Sequence, residues 1–204
     1  MKKAIFDVDG TLVNTREGIV HTIQDVLGEL GLSYNGDLDL WIGPPIKKSF
    51  MDFCGLIEED AQKATRLYRK RYIKKYITES TLYPGMRETL DMLRRNGVRL
   101  AIATMKTGPQ VDRLFSYFGI KDYFEEIKTA REDGSLSKAQ MIAELMDSDE
   151  TYMIGDTISD QIATQEAECS FIGVTYGFGF KPGERYSFIT VKEPKELIRE
   201  ICFQ

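Results

Sequence analysis

The chain has 204 residues, 42% hydrophobic and 29% charged, with a net charge of -5. That is the balance of a soluble domain, or of one domain with a smaller insert, and the acid excess excludes the extended basic surface of a nucleic-acid protein. No run of about 18 apolar residues is present, which excludes a helical membrane span.

A single histidine, His21, rules out chemistry built on a histidine pair. Cys54, Cys169 and Cys202 are scattered and odd in number. They read as reduced thiols, with no disulfide frame and no cysteine zinc site. The opening residues do not read as a signal peptide, so a cytoplasmic location is expected.

An apolar run, Ala4-Ile5-Phe6, opens the chain as a buried strand and stops at Asp7-Val8-Asp9-Gly10-Thr11. Residues two apart on a strand share a side. Two carboxylates therefore crowd where the strand ends, and like charges that close are costly to keep ionised.

Helical periodicity comes next. Ile19, Ile23, Val26, Leu27 and Leu30 share one face of a helix over 16–31, with Gly31 as its stop. A shorter helix ends at Gly55. A third, over 58–77, begins acidic and ends basic, matching the helix dipole. These helices make an all-helical insert at 15–81 whose ten basic and ten acidic residues cancel. The insert is small for an independent domain. The core is then 1–14 with 82–204.

From Tyr83 helices and strands alternate. A helix stopped by Gly97 precedes a buried strand over 98–104. A helix with Pro109 in its first turn precedes a short strand in 123–130. A helix capped by Ser137 precedes a strand over 151–156. A helix from Thr157 precedes a strand running into the glycine-rich Thr175-Tyr176-Gly177-Phe178-Gly179, and a last strand and helix close the chain. This alternation predicts an α/β fold: a doubly wound, mostly parallel, Rossmann-like sheet with right-handed crossovers, carrying an inserted all-helical cap.

In such sheets the site lies beyond the carboxyl ends of the strands. Asp7, Asp9, Thr104, Asp156 and Asp160 fall there, with Lys138 in the first turn of a helix. Three or four gathered carboxylates need a cation, and hard oxygen donors favour Mg2+ completed by waters and a substrate phosphate. Taken singly the signals have plainer readings. Asp156 could cap the following helix, and Asp7 to Gly10 could be a turn. Lys138 is harder to dismiss, because a lysine in a first turn opposes the helix dipole. Lys106 reads equally as a phosphate contact or a solvated lysine. His21 reads as structural. The basic run 68–75 reads as the wet face of an insert helix.

Asp7-Val8-Asp9-Gly10-Thr11-Leu12-Val13-Asn14-Thr15, Ala103-Thr104 with Lys106, Ser137-Lys138, and Gly155-Asp156-Thr157-Ile158-Ser159-Asp160 occur in that order. Together they resemble the haloacid dehalogenase-like superfamily of aspartate-nucleophile phosphotransferases, over the whole chain. Ile42-Gly43-Pro44-Pro45 and the 175–179 segment resemble its phosphoglycolate phosphatase-like branch with a small helical cap.

The resemblance implies a Mg2+-dependent phosphatase acting on a small phosphorylated metabolite. Asp7 would attack phosphorus to give an aspartyl-phosphate, and Asp9 would serve as general acid and then base. Asp7, the Asp9 main-chain carbonyl and Asp156 would hold the metal, with Asp160 behind them. Thr104 would hold a phosphoryl oxygen and Lys138 would bring positive charge to it. Gly43, Pro44, Lys47, Met105 and Lys106 are the candidate substrate contacts.

The same motifs would serve a phosphomutase, a pyrophosphatase or a nucleotidase, and a non-catalytic binding protein on this frame is the rival of a different class. Two positions depart from the family pattern. Met105 stands where Asn or Ser is usual. Glu168 stands where Gly is usual, and the cost of a left-handed Glu predicts a different turn there.

Overall fold

The computed structural model describes residues 1–131, 135–147 and 150–203. The chain divides into two compact units, Met1–Asn14 with Leu82–Gln204, and Thr15–Thr81.

The first unit is built on a six-stranded, wholly parallel sheet. Its strands are β1 (Lys3–Phe6), β2 (Arg99–Thr107), β3 (Glu126–Ala130), β4 (Thr151–Gly155), β5 (Ser170–Val174) and β6 (Ile189–Val191). Their spatial order is β3-β2-β1-β4-β5-β6. The order reverses between β1 and β4, which is where a doubly wound sheet opens its ligand crevice. The expected α/β class is what is found. β1 lies between the two halves of the sheet, so its residues are wholly buried. In register, Phe6 faces Ile102 on one side and Ile154 on the other. The carboxyl ends of β1 and β4 are therefore level, and the segments leaving these two strands must meet.

Among the described residues, five α-helices accompany these strands: α4 (Met86–Arg95), α5 (Gly108–Phe118), α6 (Lys138–Leu145), α7 (Ile158–Glu166) and α8 (Glu196–Cys202). Met141, Ile142 and Leu145 of α6 pack with Ala163 of α7 on Ile5, Ala101, Ala103 and Met153. Alanines on the strands let the helices approach closely.

β2 runs three residues beyond Thr104, its expected end, and its pairing with β3 jumps register between Thr104 and Thr107. The extension has a local cause. Thr107 is the cap of α5, and its N–H donates to Gln110 Oε1 at 2.9 Å, so the backbone stays extended until the cap is reached.

Glu168 corrects an expectation. The turn after α7 keeps its left-handed residue, with Glu168 at φ 54. Cys169 N–H donates to the Thr164 carbonyl (3.0 Å), closing the helix end across six residues. That closure demands the left-handed residue whatever its side chain.

The second unit contains α1 (Arg16–Leu30), α2 (Ile46–Cys54) and α3 (Glu58–Arg71). Phe50 and Phe53 pack on Trp41, edge to face and tilted, with ring centroids 5.1 and 5.3 Å from it. Its charges stay on the surface in exposed pairs such as Lys48–Asp52 and Lys63–Glu59. His21 joins Glu79 there at 2.5 Å. The helix expected over 58–77 changes at Tyr72 into a π segment, Tyr72–Tyr76. Tyr72 and Ile77 are both buried, and the wider turn, closed by Ile77 N–H to the Tyr72 carbonyl (2.9 Å), brings residues five apart to one face. No helix among the described residues is long and apolar enough to cross a membrane.

Candidate active site

The site grows from the carboxyl ends of β1, β2 and β4 and the first turns of α6 and α7. Asp7 N–H donates to the Ile154 carbonyl at 3.0 Å, which carries the ladder one residue past β1. The chain then turns back on itself. Leu12 and Val13 N–H groups both reach the Val8 carbonyl (3.1 and 3.0 Å), and Gly10 N–H reaches the Val13 carbonyl (2.9 Å). Gly10 holds φ +74, and a Cβ there would lie 2.1 Å from Asp156 Oδ2. Glycine at this position lets the two strand ends close on each other.

Lys138 opens α6. Ser137 and Gln140 satisfy the helix end by a reciprocal capping box, so the helix itself has no use for a lysine there. Its ammonium lies 2.8 Å from Asp7 Oδ1 and also bonds Asp160 Oδ1. This accounts for the cation that the dipole disfavours.

The cap of α7 is Thr157, which sets aside the plain reading of Asp156 as the helix cap. Thr157 accepts from Asp160 N–H at 3.3 Å. Its own N–H and hydroxyl donate to Asp160 Oδ2 at 3.0 and 2.7 Å. Both oxygens of Asp160 are therefore engaged within the protein. Asp156 is fully buried, and its Oδ2 accepts the Phe178 N–H at 2.8 Å. The Thr11 hydroxyl stands 3.4 Å from its Oδ1.

Asp7, Asp156 and Asp160 each offer an oxygen within 4.8 Å of the others. Were all three ionised, three negative charges would meet one ammonium and two would be left over. The acid strengths record the imbalance. Burial pushes Asp7 up to about 6; Lys138 pulls against this, while Asp160 and Asp9 add to it. Burial, then Asp160 and Asp7, push Asp156 well above the carboxylate range. Burial opposes the charge of Lys138, yet Asp160 and Asp7 outweigh it and hold the ammonium above its usual value. An all-oxygen, under-neutralised cluster with two charges to spare suits a hard divalent cation.

Asp9 stands apart from the three-carboxylate cluster. Its Oδ1 pairs with Lys106 Nζ at 2.9 Å. Lys106 is buried, which overturns its reading as a solvated lysine. Thr104 is buried beside it, and its Oγ1 accepts the Lys106 N–H (3.2 Å), so the hydroxyl proton remains to donate elsewhere. Met105 is exposed. Gly43, Pro44 and Lys47 belong to the helical unit, in the loop before α2 and in its first turn; Lys47 pairs with Glu58 at 2.7 Å.

Sequence reasoning missed Thr11, Thr157 and the Phe178 amide as partners of the acid cluster. The two threonines sit inside motifs whose aspartates carry the stronger signal. The amide carries no side-chain signal; only the alternating glycines at 177 and 179 hint at a close backbone approach.

Comparison with known proteins shows the family. A family model described as haloacid dehalogenase-like hydrolase matches residues 4–174. The chain is 33% identical over 183 residues to a 5'-nucleotidase of Pseudomonas aeruginosa, covering 86% of this chain and 83% of that one. It is 30% identical over 190 residues to a phosphoglycolate phosphatase of Yersinia pestis, covering 86% and 81%. The crystal structure of a predicted phosphatase from Clostridium acetobutylicum superposes with a TM-score of 0.88 at 32% identity, covering 98% of this chain and 97% of that one. The match spans β1 through β5 and so takes in every strand end that builds the acid cluster: the chain belongs to the haloacid dehalogenase-like hydrolases.

Proposed function

We propose that the chain is a Mg2+-dependent phosphatase that hydrolyses a small phosphorylated metabolite through an aspartyl-phosphate on Asp7. The observation that carries this reading is the environment of Asp7. It is a buried carboxylate held through one oxygen by Lys138 at 2.8 Å, within a cluster that has two negative charges to spare. A nucleophile must be aimed and kept from hydration, and fixed charge must stand where a phosphoryl group arrives.

Asp7 and Asp156 would hold the metal, together with the Asp9 main-chain carbonyl, and Asp160 would steady the set through Lys138 and Thr157. When bound, the ion would supply Lewis acidity to the phosphoryl oxygens and neutralise the carboxylates. The chain's own groups do the rest. Lys138 orients Asp7 and draws the phosphoryl group toward it. Thr104 donates its free hydroxyl proton to a phosphoryl oxygen. Lys106 aims Asp9, which hands a proton to the leaving oxygen and later takes one from water.

Substrate choice is assigned to the helical unit through Gly43, Pro44 and Lys47, with Met105 and Lys106 as further contacts from the core. Lys47 would have to leave Glu58 to meet a substrate anion. The relatives named a phosphoglycolate phosphatase and a 5'-nucleotidase favour two substrate classes: a short phosphorylated acid and a nucleoside monophosphate.

The test is release of p-nitrophenol from its phosphate ester. Wild-type protein should turn over with Mg2+, lose activity in EDTA and regain it on adding Mg2+. Asp7→Asn should lose at least about a thousandfold, roughly 4 kcal/mol of barrier, while its circular dichroism is unchanged. Full activity in chelator, or Asp7→Asn within about tenfold of wild type, would refute the reading.

A further inference from the structure

The basic run at 68–75 divides on folding. Tyr68 and Tyr72 are buried, while Lys70, Lys74 and Lys75 stand exposed beside a half-buried Arg71. These four cations line a cleft of about 430 Å³ with Leu67 and Glu29, all of them residues of the helical unit. The helix dipole explains cations in this turn, but not their collection around one cavity. Around an unbroken α-helix Lys70 and Lys75 would stand about 140° apart. The π segment Tyr72–Tyr76 widens the turn and swings Lys75 back toward Lys70. Two of the four are then fixed by acids. Arg71 Nη1 donates to Asp25 Oδ1 at 2.7 Å, and Asp25 Oδ2 accepts from Lys75 (3.3 Å) and from the Tyr76 hydroxyl (2.7 Å). Glu29, the one carboxylate in the lining, is engaged by the other arm of Arg71. Among the described residues Lys70 and Lys74 make no ion pair and no side-chain hydrogen bond.

We propose that this cleft is an anion site separate from the acid cluster, and that it takes a chain of phosphates, as in inorganic tripolyphosphate or the triphosphate of a nucleotide. Lys70 with Lys74, and Arg71 with Lys75, are like charges four residues apart, an arrangement that costs a helix stability unless an anion lies between them. Arg71 and Lys75 are already held in place by Asp25, so less side-chain freedom is lost when a ligand binds. Lys70 and Lys74 bring the charge that the protein leaves unneutralised. The four cations spread over one helical turn, about 5.4 Å, which suits several linked phosphates better than a single one. No aromatic ring lines the cleft, and Leu67 is its one apolar side chain. Nothing there grips a base, so the phosphate chain is the part recognised.

The experiment is calorimetric titration of the full chain with tripolyphosphate, ATP and orthophosphate in turn, in EDTA. Without metal the acid cluster repels anions, so binding there does not enter the result. Wild type should take one tripolyphosphate per chain, more weakly as salt is raised. ATP should bind within about threefold of it, and orthophosphate at least about tenfold more weakly. The variant Lys70→Gln, Lys74→Gln should lose about tenfold or more in affinity for tripolyphosphate. Both lysines are exposed, so its Tm should stay that of wild type. The control is Lys48→Gln, Lys63→Gln, which removes two charges of the same unit from outside the cleft and should change affinity by about twofold or less. Wild type that binds no tripolyphosphate would overturn the site. Equal loss in the two double variants would reduce it to the diffuse charge of the surface and overturn it as well. Orthophosphate as tight as tripolyphosphate, or ATP binding alone, would overturn the reading of a phosphate chain. None of these outcomes depends on whether Asp7 is a nucleophile.

Discussion

Lys3 at the amino ends of the strands and Lys138 at their carboxyl ends both sit among carboxylates, and the two lysines live differently. At the amino edge Lys3, in β1, has a side chain 0% exposed, 2.7 Å from Glu126 and 3.3 Å from Asp147. Those acids remain 40% and 44% exposed, so water solvates their charge. At the carboxyl edge Lys138, 10% exposed, meets Asp7 and Asp160, which are 10% and 2% exposed, with Asp156 fully buried beside them. The first is an ion pair whose acids face solvent. The second is an ion cluster that the protein cannot neutralise by itself. A buried ion pair is weak evidence for stability, whereas a buried excess of one sign points to a ligand.

The comparison is broken most easily by removing each lysine. Lys138→Met should cut kcat/KM by at least about a hundredfold, roughly 2.7 kcal/mol, and should do so for every phosphate ester alike. Lys3→Met keeps the aliphatic stem and leaves its acids to water. It should preserve kcat and change stability by about 1 kcal/mol or less in urea unfolding. A Lys3→Met enzyme crippled in turnover, or a Lys138→Met enzyme with normal turnover, would erase the distinction.

Lys47→Ala sharpens the same contrast from the helical unit. Lys47 pairs with Glu58 on an exposed surface. Its loss should reorder a panel of esters without lowering all of them, because binding to the rest of a substrate differs between substrates while phosphoryl contacts do not. An unchanged ranking removes Lys47 from substrate recognition.

The last effect falls on stability alone and leaves turnover out of the reading. In chelator, Asp7 carries a proton affinity raised from 3.8 to about 6. A carboxyl whose folded value is raised costs stability once it ionises. The penalty is absent below about pH 4, grows as pH rises, and is complete above about pH 6. Asp7→Asn cannot ionise. Its stability relative to metal-free wild type should therefore rise between those limits, by at most about 3 kcal/mol, given ~1.4 kcal/mol per pH unit. Parallel stability curves from pH 4 to 7 would show that Asp7 is not under strain.

Much of this was legible in the sequence because it was written in side chains. The strand and helix rhythm after Tyr83 gave a parallel sheet, and Asp7, Asp156 and Lys138 marked its carboxyl edge. What escaped was written in the backbone or in partner choice. Lys106 reads the same whether it faces water or Asp9, since only tertiary burial distinguishes the two. The turn at Glu168 kept a shape that the residue disfavours, because the closing bond from Cys169 to Thr164 outweighs a local cost of about 1 kcal/mol. The π segment at Tyr72 could not be seen in a 3.6-residue period, for it exists to bury Tyr72 and Ile77 together. The Phe178 amide on Asp156 leaves no trace except two glycines.

The central claim is that Asp7 carries the phosphoryl group, and one trapping experiment addresses it directly. p-Nitrophenolate leaves without much help from an acid, so Asp9→Asn should still be phosphorylated by p-nitrophenyl phosphate but should hydrolyse the product slowly. Mass spectrometry of the acid-quenched Asp9→Asn protein should find one phosphoryl group on the peptide containing Asp7. The same peptide from Asp7→Asn, Asp9→Asn should carry none. A phosphoryl group that persists in the double variant, or steady turnover by Asp9→Asn with the Asp7 peptide never modified, would contradict the account.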